Sequence, residues 1–272
     1  MRSLATEHKL HDVGVEVTVL DDALQLAASL NNSSSPGPAL ASGWSALESL
    51  LFSPSDPQDS KDGRGVVACD RAASLVTCSW PRAELTPLAF GHRSEASDPG
   101  TALVGERALA LDNAVGHAPT AGEVKHRYSL LRGAPNNRDR CRVVLGAFAE
   151  SQRLSLPRLT DVATQERMLA LIANPHSELA DVRRHIQHAF RRMYRMRNIV
   201  VHGGAASSVG LEVSVRTAVP LTGAALDRVA HAALVEGVSP LALAARAEIS
   251  LALVGQEGGQ SLSDLLEHRR SG

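Results

Sequence analysis

One segment of the chain collects residue types that can cleave a phosphodiester bond. Between Asp181 and Gly204 the sequence reads DVRRHIQHAFRRMYRMRNIVVHGG, which brings Arg197, Asn198 and His202 close together. Histidine can donate or accept a proton near neutral pH, the arginine fork matches phosphate oxygens, and asparagine can orient either group. Such a set could drive attack of an RNA 2′-hydroxyl on the neighbouring phosphate without a metal ion.

The spacing of the same segment predicts a long amphipathic helix. Projection at about 100° per residue separates two stripes on its surface. The apolar stripe contains Ile186, Phe190, Met193 and Val201. The adjacent polar stripe contains Arg191, Arg195, Asn198 and His202. On this polar stripe we expect Arg191 and Arg195 to bind the RNA backbone.

Arg197 projects onto the apolar stripe, between Phe190 and Val201. A guanidinium that faces a core loses its hydration, so it needs an anion as compensation. Two anions are candidates at this point: the carboxylate of Glu48, which lies on the apolar side of its own helix, or the phosphate of a ligand.

Helical periods extend over most of the chain and predict an all-α protein. The long helix should span Glu178 to His202 and be the longest in the chain. It should stop at Gly203-Gly204, because glycine readily caps a helix in the left-handed conformation. An earlier helix should end at Trp80-Pro81, with loops around one helix over 81–122. The alternating valines of Val209–Val215 resemble a strand, but a lone strand would lack a partner, so we predict a helix there. Further helices are predicted over 15–30, 40–51, 66–78, 123–131, 141–148, 159–172, 221–235 and 240–254.

The composition excludes several classes of protein. The chain has 272 residues, 44% of them hydrophobic, and a net charge of −1, which rules out a disordered or fibrous chain. It contains neither an apolar run of about 18 residues nor a signal-peptide pattern, so we expect no membrane partner and a cytoplasmic location. Three cysteines without paired spacing predict buried free thiols, and no metal site or cofactor is expected.

The run RNIVVHGG at 197–204 resembles the R-N-x-x-x-H signature of HEPN domains, in particular the ApeA-like branch. The run LESLL at 47–51, after Trp44, resembles a helix that this branch carries upstream. The resemblance covers residues 40–235 and implies a HEPN-like helical bundle. It suggests an N-terminal helix and linker at 1–37, the HEPN-like domain at 38–235, and a C-terminal helical extension at 236–272 packed on the same core.

In its catalytic members this superfamily contains metal-independent endoribonucleases that commonly act as dimers. The resemblance therefore implies that Arg197 stabilises the charged transition state, that His202 is the general acid or base, and that Asn198 positions one of them. Glu48 would orient Arg197 through an ion pair. The expected partners are single-stranded RNA of unknown target, a second copy of the chain, and an antitoxin or sensor protein, as for a toxin or anti-phage effector.

Three plainer alternatives stay open at the level of sequence. Arginine accounts for 25 of the 28 basic residues, so the arginine run could be only a solvated helix face in an arginine-rich protein. Arg197 and Glu48 could form a purely structural pair, with His202 stabilised by the end of its helix. The domain could also be a non-catalytic HEPN-like module that binds RNA, a nucleotide or a protein with the same residues.

Overall fold

The predicted helical periods are realised as helices throughout the described chain. The computed structural model describes residues 18–30, 35–56, 63–95, 120–154, 156, 158–203, 209–265 and 267. Within these residues lie nine α-helices and no β-strand, which confirms the all-α class. In chain order the helices are α1 (18–30), α2 (Pro36–Leu51), α3 (Gly63–Glu95), α4 (Ala121–Gly133), α5 (Asn137–Ala149), α6 (Leu159–Ala173), α7 (Pro175–Gly203), α8 (Val209–His231) and α9 (Pro240–Leu253).

The chain divides into two compact units. The first contains the described residues within Met1–Ser79, Ala180–Ala252 and Leu266–Gly272. Its core includes the predicted apolar face of α2, and α2 packs against α8. The buried side chains include Leu40, Trp44, Leu47 and Leu51 of α2 and Ile186, Phe190 and Met193 of α7. The periodicity of both helices therefore predicted this core correctly up to Met193.

The second unit contains the described residues within Trp80–Leu179 and Leu253–Leu265. Its helices α4, α5 and α6 pack in sequence, each against the next. A capping box starts α4, because the Thr120 hydroxyl accepts from the Glu123 N–H while the Glu123 carboxylate accepts from the Thr120 N–H. Asn136 caps α5, because its Oδ1 accepts from the Asp139 N–H at 2.9 Å.

The prediction that a helix ends at Trp80-Pro81 is wrong. Helix α3 continues through Pro81 and Pro87 to Glu95, and with 33 residues it is longer than α7, which has 29. Each proline removes one backbone hydrogen bond, but the buried side chains of Leu85 and Leu88 continue the apolar period beyond the first proline. The predicted loops over 81–95 are therefore helical, and residues 96–119 lie outside the described chain.

Helix α7 leaves the core before it ends. Val201, which the projection assigned to the apolar stripe, is 52% exposed, so this part of the prediction is wrong. The stripe remains buried through Met193, whereas the last two turns of α7 present their side chains to solvent or to a partly open surface. By contrast, the helix predicted over Val209–Val215 is confirmed, because Leu211 and Ser214 are buried at helical spacing.

The three cysteines are free and buried, as predicted. Burial raises the pKa of the Cys69 and Cys78 thiols to about 12, so both stay protonated at neutral pH.

None of the described helices combines the length and apolar content needed to cross a membrane.

A partly buried ion pair connects the segment after α2 to α3 in the first unit. The Asp56 carboxylate accepts from both terminal nitrogens of Arg71 at 2.7 Å, and also from the Ser53 N–H at 2.8 Å. Arg71 donates in addition to the Leu51 carbonyl at 2.8 Å, which satisfies a group at the helix end. The hydrogen bonds from Arg71 lower the pKa of Asp56 below its ordinary value of 3.8.

The pair predicts a pH-dependent stability. Because the folded pKa of Asp56 is lowered, its contribution is fully present above pH 3.8 and disappears as the pH falls through the lower folded value. We expect Asp56→Asn to lower the free energy of unfolding by about 2 kcal/mol at pH 7, the size of charge-assisted hydrogen bonds. The difference from wild type should shrink in acid, as measured by urea unfolding at several pH values.

The matched control is Asp181→Asn, which removes the carboxylate of an exposed pair with Arg184. Exposed pairs contribute little, so this variant should unfold like the wild type. A constant difference between Asp56→Asn and wild type from pH 7 down to pH 2 would contradict the assignment.

Candidate functional site

The candidate site lies where α2, the start of α3 and the end of α7 meet in the first unit. The Trp44 ring is fully buried and contacts the Tyr194 ring, with centroids 5.1 Å apart and planes tilted by 42°. Gly65 of α3 makes room for this contact, since an added Cβ would overlap the Tyr194 ring. These two aromatic rings hold α7 against α2 one turn before Arg197.

Glu48 and Arg197 face each other across the two helices. The Trp44 indole N–H donates to Glu48 Oε2 at 3.2 Å, which keeps the carboxylate at the edge of the core. Arg197 Nη2 lies 4.0 Å from the same oxygen, and the two side chains are 26% and 29% exposed. The predicted pairing is thus present only as a long ion pair, and a partly solvated pair of this kind contributes little to stability.

Arg197 keeps hydrogen-bonding capacity that the protein does not use. Its Nη1 donates to Asn198 Oδ1 at 3.0 Å, so the asparagine fixes one edge of the guanidinium. Its Nε is buried and has no hydrogen-bond partner among the described residues. The Nε atoms of Arg140, Arg183 and Arg191 are also buried without a partner among the described residues, so this feature is not particular to Arg197.

His202 lies in the last turn of α7 and is exposed. On an ideal helix it is about 7.5 Å along the axis and about 140° around it from Arg197. No hydrogen bond joins these two residues in the described chain, whereas Asn198 is four residues from His202 and so adjacent to it on the helix surface.

The two arginines predicted to bind RNA differ in their environment. Arg191 forms an ion pair with Asp70 of α3 at 3.2 Å, and Gln187 donates to the same carboxylate at 2.6 Å. Arg195, one turn later, is exposed and makes no ion pair within the described residues. Arg191 is therefore partly neutralised by Asp70, while Arg195 is available to an external anion.

The sequence did not predict that Asp70 and Gln187 take part in the interactions around Arg191. Asp70 is 121 residues from Arg191, and no local pattern marks their contact. Cys69, next to Asp70, has its pKa raised by burial and by that carboxylate, so it is not a nucleophile at neutral pH. The described residues contain no group of three His, Cys, Asp or Glu side chains that could hold a metal ion.

The role of Gly65 leads to a test of how the site is positioned. Gly65→Ala should push the Tyr194 ring away from Trp44, because the new methyl group overlaps it. Overpacking of this kind costs about 1–3 kcal/mol, which we expect as a lower midpoint of urea unfolding.

The matched control is Gly223→Ala in α8, where an added Cβ meets nothing within 4 Å. This variant should be as stable as wild type or slightly more stable, since alanine is the better helix former. Equal stability of Gly65→Ala and Gly223→Ala would show that the Tyr194 contact does not constrain α7.

No family model matches this chain, and neither a curated protein nor a solved structure is detectably similar to it. The arrangement of Arg197, Asn198, His202 and Glu48 is therefore the basis on which a function is proposed.

Proposed function

We propose that the chain is a metal-independent endoribonuclease of the HEPN type that acts on single-stranded RNA, in the manner of a toxin or anti-phage effector. The observation that carries the proposal is the environment of Arg197. Its guanidinium is 26% exposed beside Glu48 and Asn198, and it precedes an exposed His202 by five residues.

The reaction follows from the chemistry of these groups. A base removes the proton of an RNA 2′-hydroxyl, and the resulting oxyanion attacks the adjacent phosphorus. The bond from phosphorus to the 5′-oxygen breaks, an acid protonates that oxygen, and the products carry a 2′,3′-cyclic phosphate and a 5′-hydroxyl. Arg197 stabilises the negative charge on the phosphate oxygens in the transition state, while Asn198 holds its guanidinium in place.

Two copies of the chain supply both proton-transfer groups. One His202 acts as the base and the other as the acid, because a single imidazole cannot be in both protonation states at once. The exposed position of His202 at the end of α7 is compatible with a cleft formed by two such helix ends. A homodimer is thus part of the proposal.

The decisive variant is His202→Ala. Purified wild-type protein should cleave single-stranded RNA in EDTA and leave a cyclic phosphate, detected by gel and mass analysis of the products. We expect His202→Ala to lower the rate at least 100-fold, the usual contribution of a general acid or base.

His188→Ala is the matched control, because Arg183 and His188 repeat the same spacing on the same helix and His188 is exposed as well. It should cleave at the wild-type rate. Cleavage by His202→Ala at the rate of His188→Ala, or no cleavage by wild type on any RNA tested, would contradict catalysis.

A second prediction concerns the arginines of the polar stripe. Each phosphate contact to a single strand contributes about 0.7 to the slope of log affinity against log salt. In a His202→Ala background, Arg195→Ala should lower this slope by about one such contact, because the side chain is exposed and available. Arg191→Ala should change the slope less and lower the unfolding midpoint, since it leaves Asp70 without its ion pair.

Arg216→Ala in α8 is the control for nonspecific charge loss, because Arg216 is exposed on another helix of the same unit. It should leave the slope unchanged. Equal effects of Arg195→Ala and Arg216→Ala would mean that RNA does not follow the polar stripe.

The rival candidate is a binding module without catalysis. It is favoured by one feature, namely that Arg197 already has protein contacts with Asn198 and Glu48 and none with His202 in the described chain. In that case Arg197→Ala would weaken RNA retention, and no cleavage product would form with any variant.

A further inference from the structure

The second unit contains a cavity that the proposed ribonuclease function does not use. It lies between α4, α5 and the segment that follows α5, and its volume is about 410 Å³. This volume falls within the range of sites for small molecules in proteins. Its wall includes a buried cation, Arg127, whose surroundings indicate what the cavity can bind.

Arg127 is only 5% exposed, and none of the described carboxylates forms an ion pair with it, although Glu123 lies near enough to stabilise its charge electrostatically. The one hydrogen bond that it makes to the described residues runs from Nη1 to Gln152 Oε1, at 2.9 Å. Its other guanidinium nitrogens are not sealed within the protein and can be reached from the cavity that the residue lines. Burial lowers the pKa of Arg127, as expected for a desolvated cation.

The backbone after α5 places a neutral amide, rather than an acid, against this cation. Ser151 has a φ of 58°, a left-handed conformation that non-glycine residues rarely adopt. The turn is closed by hydrogen bonds from Ser151 N to Phe148 O and from Gln152 N to Ala147 O, the pattern of a Schellman motif. Gln152 is thereby held with its carbonyl on Arg127 and its amide on Glu150, at 2.9 Å each.

The rest of the wall restricts the kind of anion that fits. Leu130, Val143 and Ala147 provide an apolar surface, while Glu123 and Glu150 add two carboxylates. Two acidic groups near the site disfavour a doubly charged phosphate more than a singly charged carboxylate. A planar carboxylate also matches the arginine fork.

We propose that this cavity binds a small monocarboxylate with an apolar body, whose carboxylate pairs with Arg127 while the hydrocarbon lies against Leu130, Val143 and Ala147. The bound anion supplies the direct ion pair that Arg127 does not form with the described residues. The site is independent of the ribonuclease proposal, since every residue in it belongs to the second unit and none belongs to the polar stripe of α7.

The test compares hexanoate with two probes of similar length, hexanamide and hexyl phosphate. Binding to the full-length protein is followed by calorimetry and by chemical-shift changes in NMR spectra. Hexanoate should bind at least 10-fold more tightly than either of the other probes. Equal binding of hexanamide would show that Arg127 takes no part, and tighter binding of hexyl phosphate would assign the site to phosphates instead. Both outcomes overturn the proposal, as does the absence of hexanoate binding.

Two variants separate loss of the site from loss of the fold. Arg127→Gln should weaken hexanoate binding at least 10-fold and leave hexanamide binding unchanged. Because a buried position can affect folding, Gly146→Leu is the second variant. Gly146 lines the cavity, and a Cβ added there meets nothing within 4 Å, so a side chain can begin at this position without overlapping its neighbours.

Gly146→Leu should lose hexanoate binding while its thermal unfolding midpoint stays at or above that of wild type. Gly133→Leu is the matched control, because an added Cβ there also meets nothing within 4 Å and the residue does not line the cavity. It should bind hexanoate like wild type. Wild-type affinity in Gly146→Leu would overturn the assignment of the cavity, whatever the outcome of the RNA cleavage assays.

Discussion

Trp44 has no exposed surface, yet its indole carries an N–H that must find an acceptor when it is buried. The acceptor is Glu48, one turn later on the same helix, so the burial of a large apolar ring also fixes the position of a carboxylate. The same ring contacts Tyr194, and that contact exists only because Gly65 has no side chain. The register of α7 against α2, and with it the position of Arg197, therefore depends on the packing of Trp44.

Helix α7 passes from the core to the surface within a few turns, and its arginines differ in exposure and in their partners. Arg191 is paired with Asp70, Arg197 has a long ion pair and one amide contact, and Arg195 is exposed. The Arg191 pair is shorter, with side chains 39% and 33% exposed, whereas the Arg197 pair is longer and somewhat more buried, at 26% and 29%. Arg197 is oriented by Asn198 and Glu48 while its side chain stays 26% exposed. That combination is what transition-state stabilisation of a phosphate requires.

The sequence predicted those parts of the structure that depend on local periodicity. The apolar faces of α2 and α7 follow from the spacing of residues such as Leu47 and Phe190, and the helical state of Val209–Val215 follows from the lack of a partner strand. The prediction that the helix ends at Pro81 was wrong, although Pro81 and Pro87 each remove a backbone hydrogen bond. The burial of Leu85 and Leu88 compensates for that loss. The proximity of Glu48 and Arg197 could be predicted from the charge on an apolar stripe. The contact between Asp70 and Arg191 could not, since it joins residues 121 positions apart without a local signal.

Three arginines of this chain show how one physical rule leads to different outcomes. A buried guanidinium has lost its water and requires an acceptor, ideally a carboxylate. Arg71 meets that requirement with Asp56 at two points, and its contribution is to stability. Arg127 meets an amide in place of an acid, and Arg197 meets an amide and a carboxylate 4.0 Å away. An arginine fully compensated by its own chain has nothing to offer a ligand. The two that are incompletely compensated by the described residues retain donors, and they are for that reason two of the positions at which we propose that this protein recognises an anion.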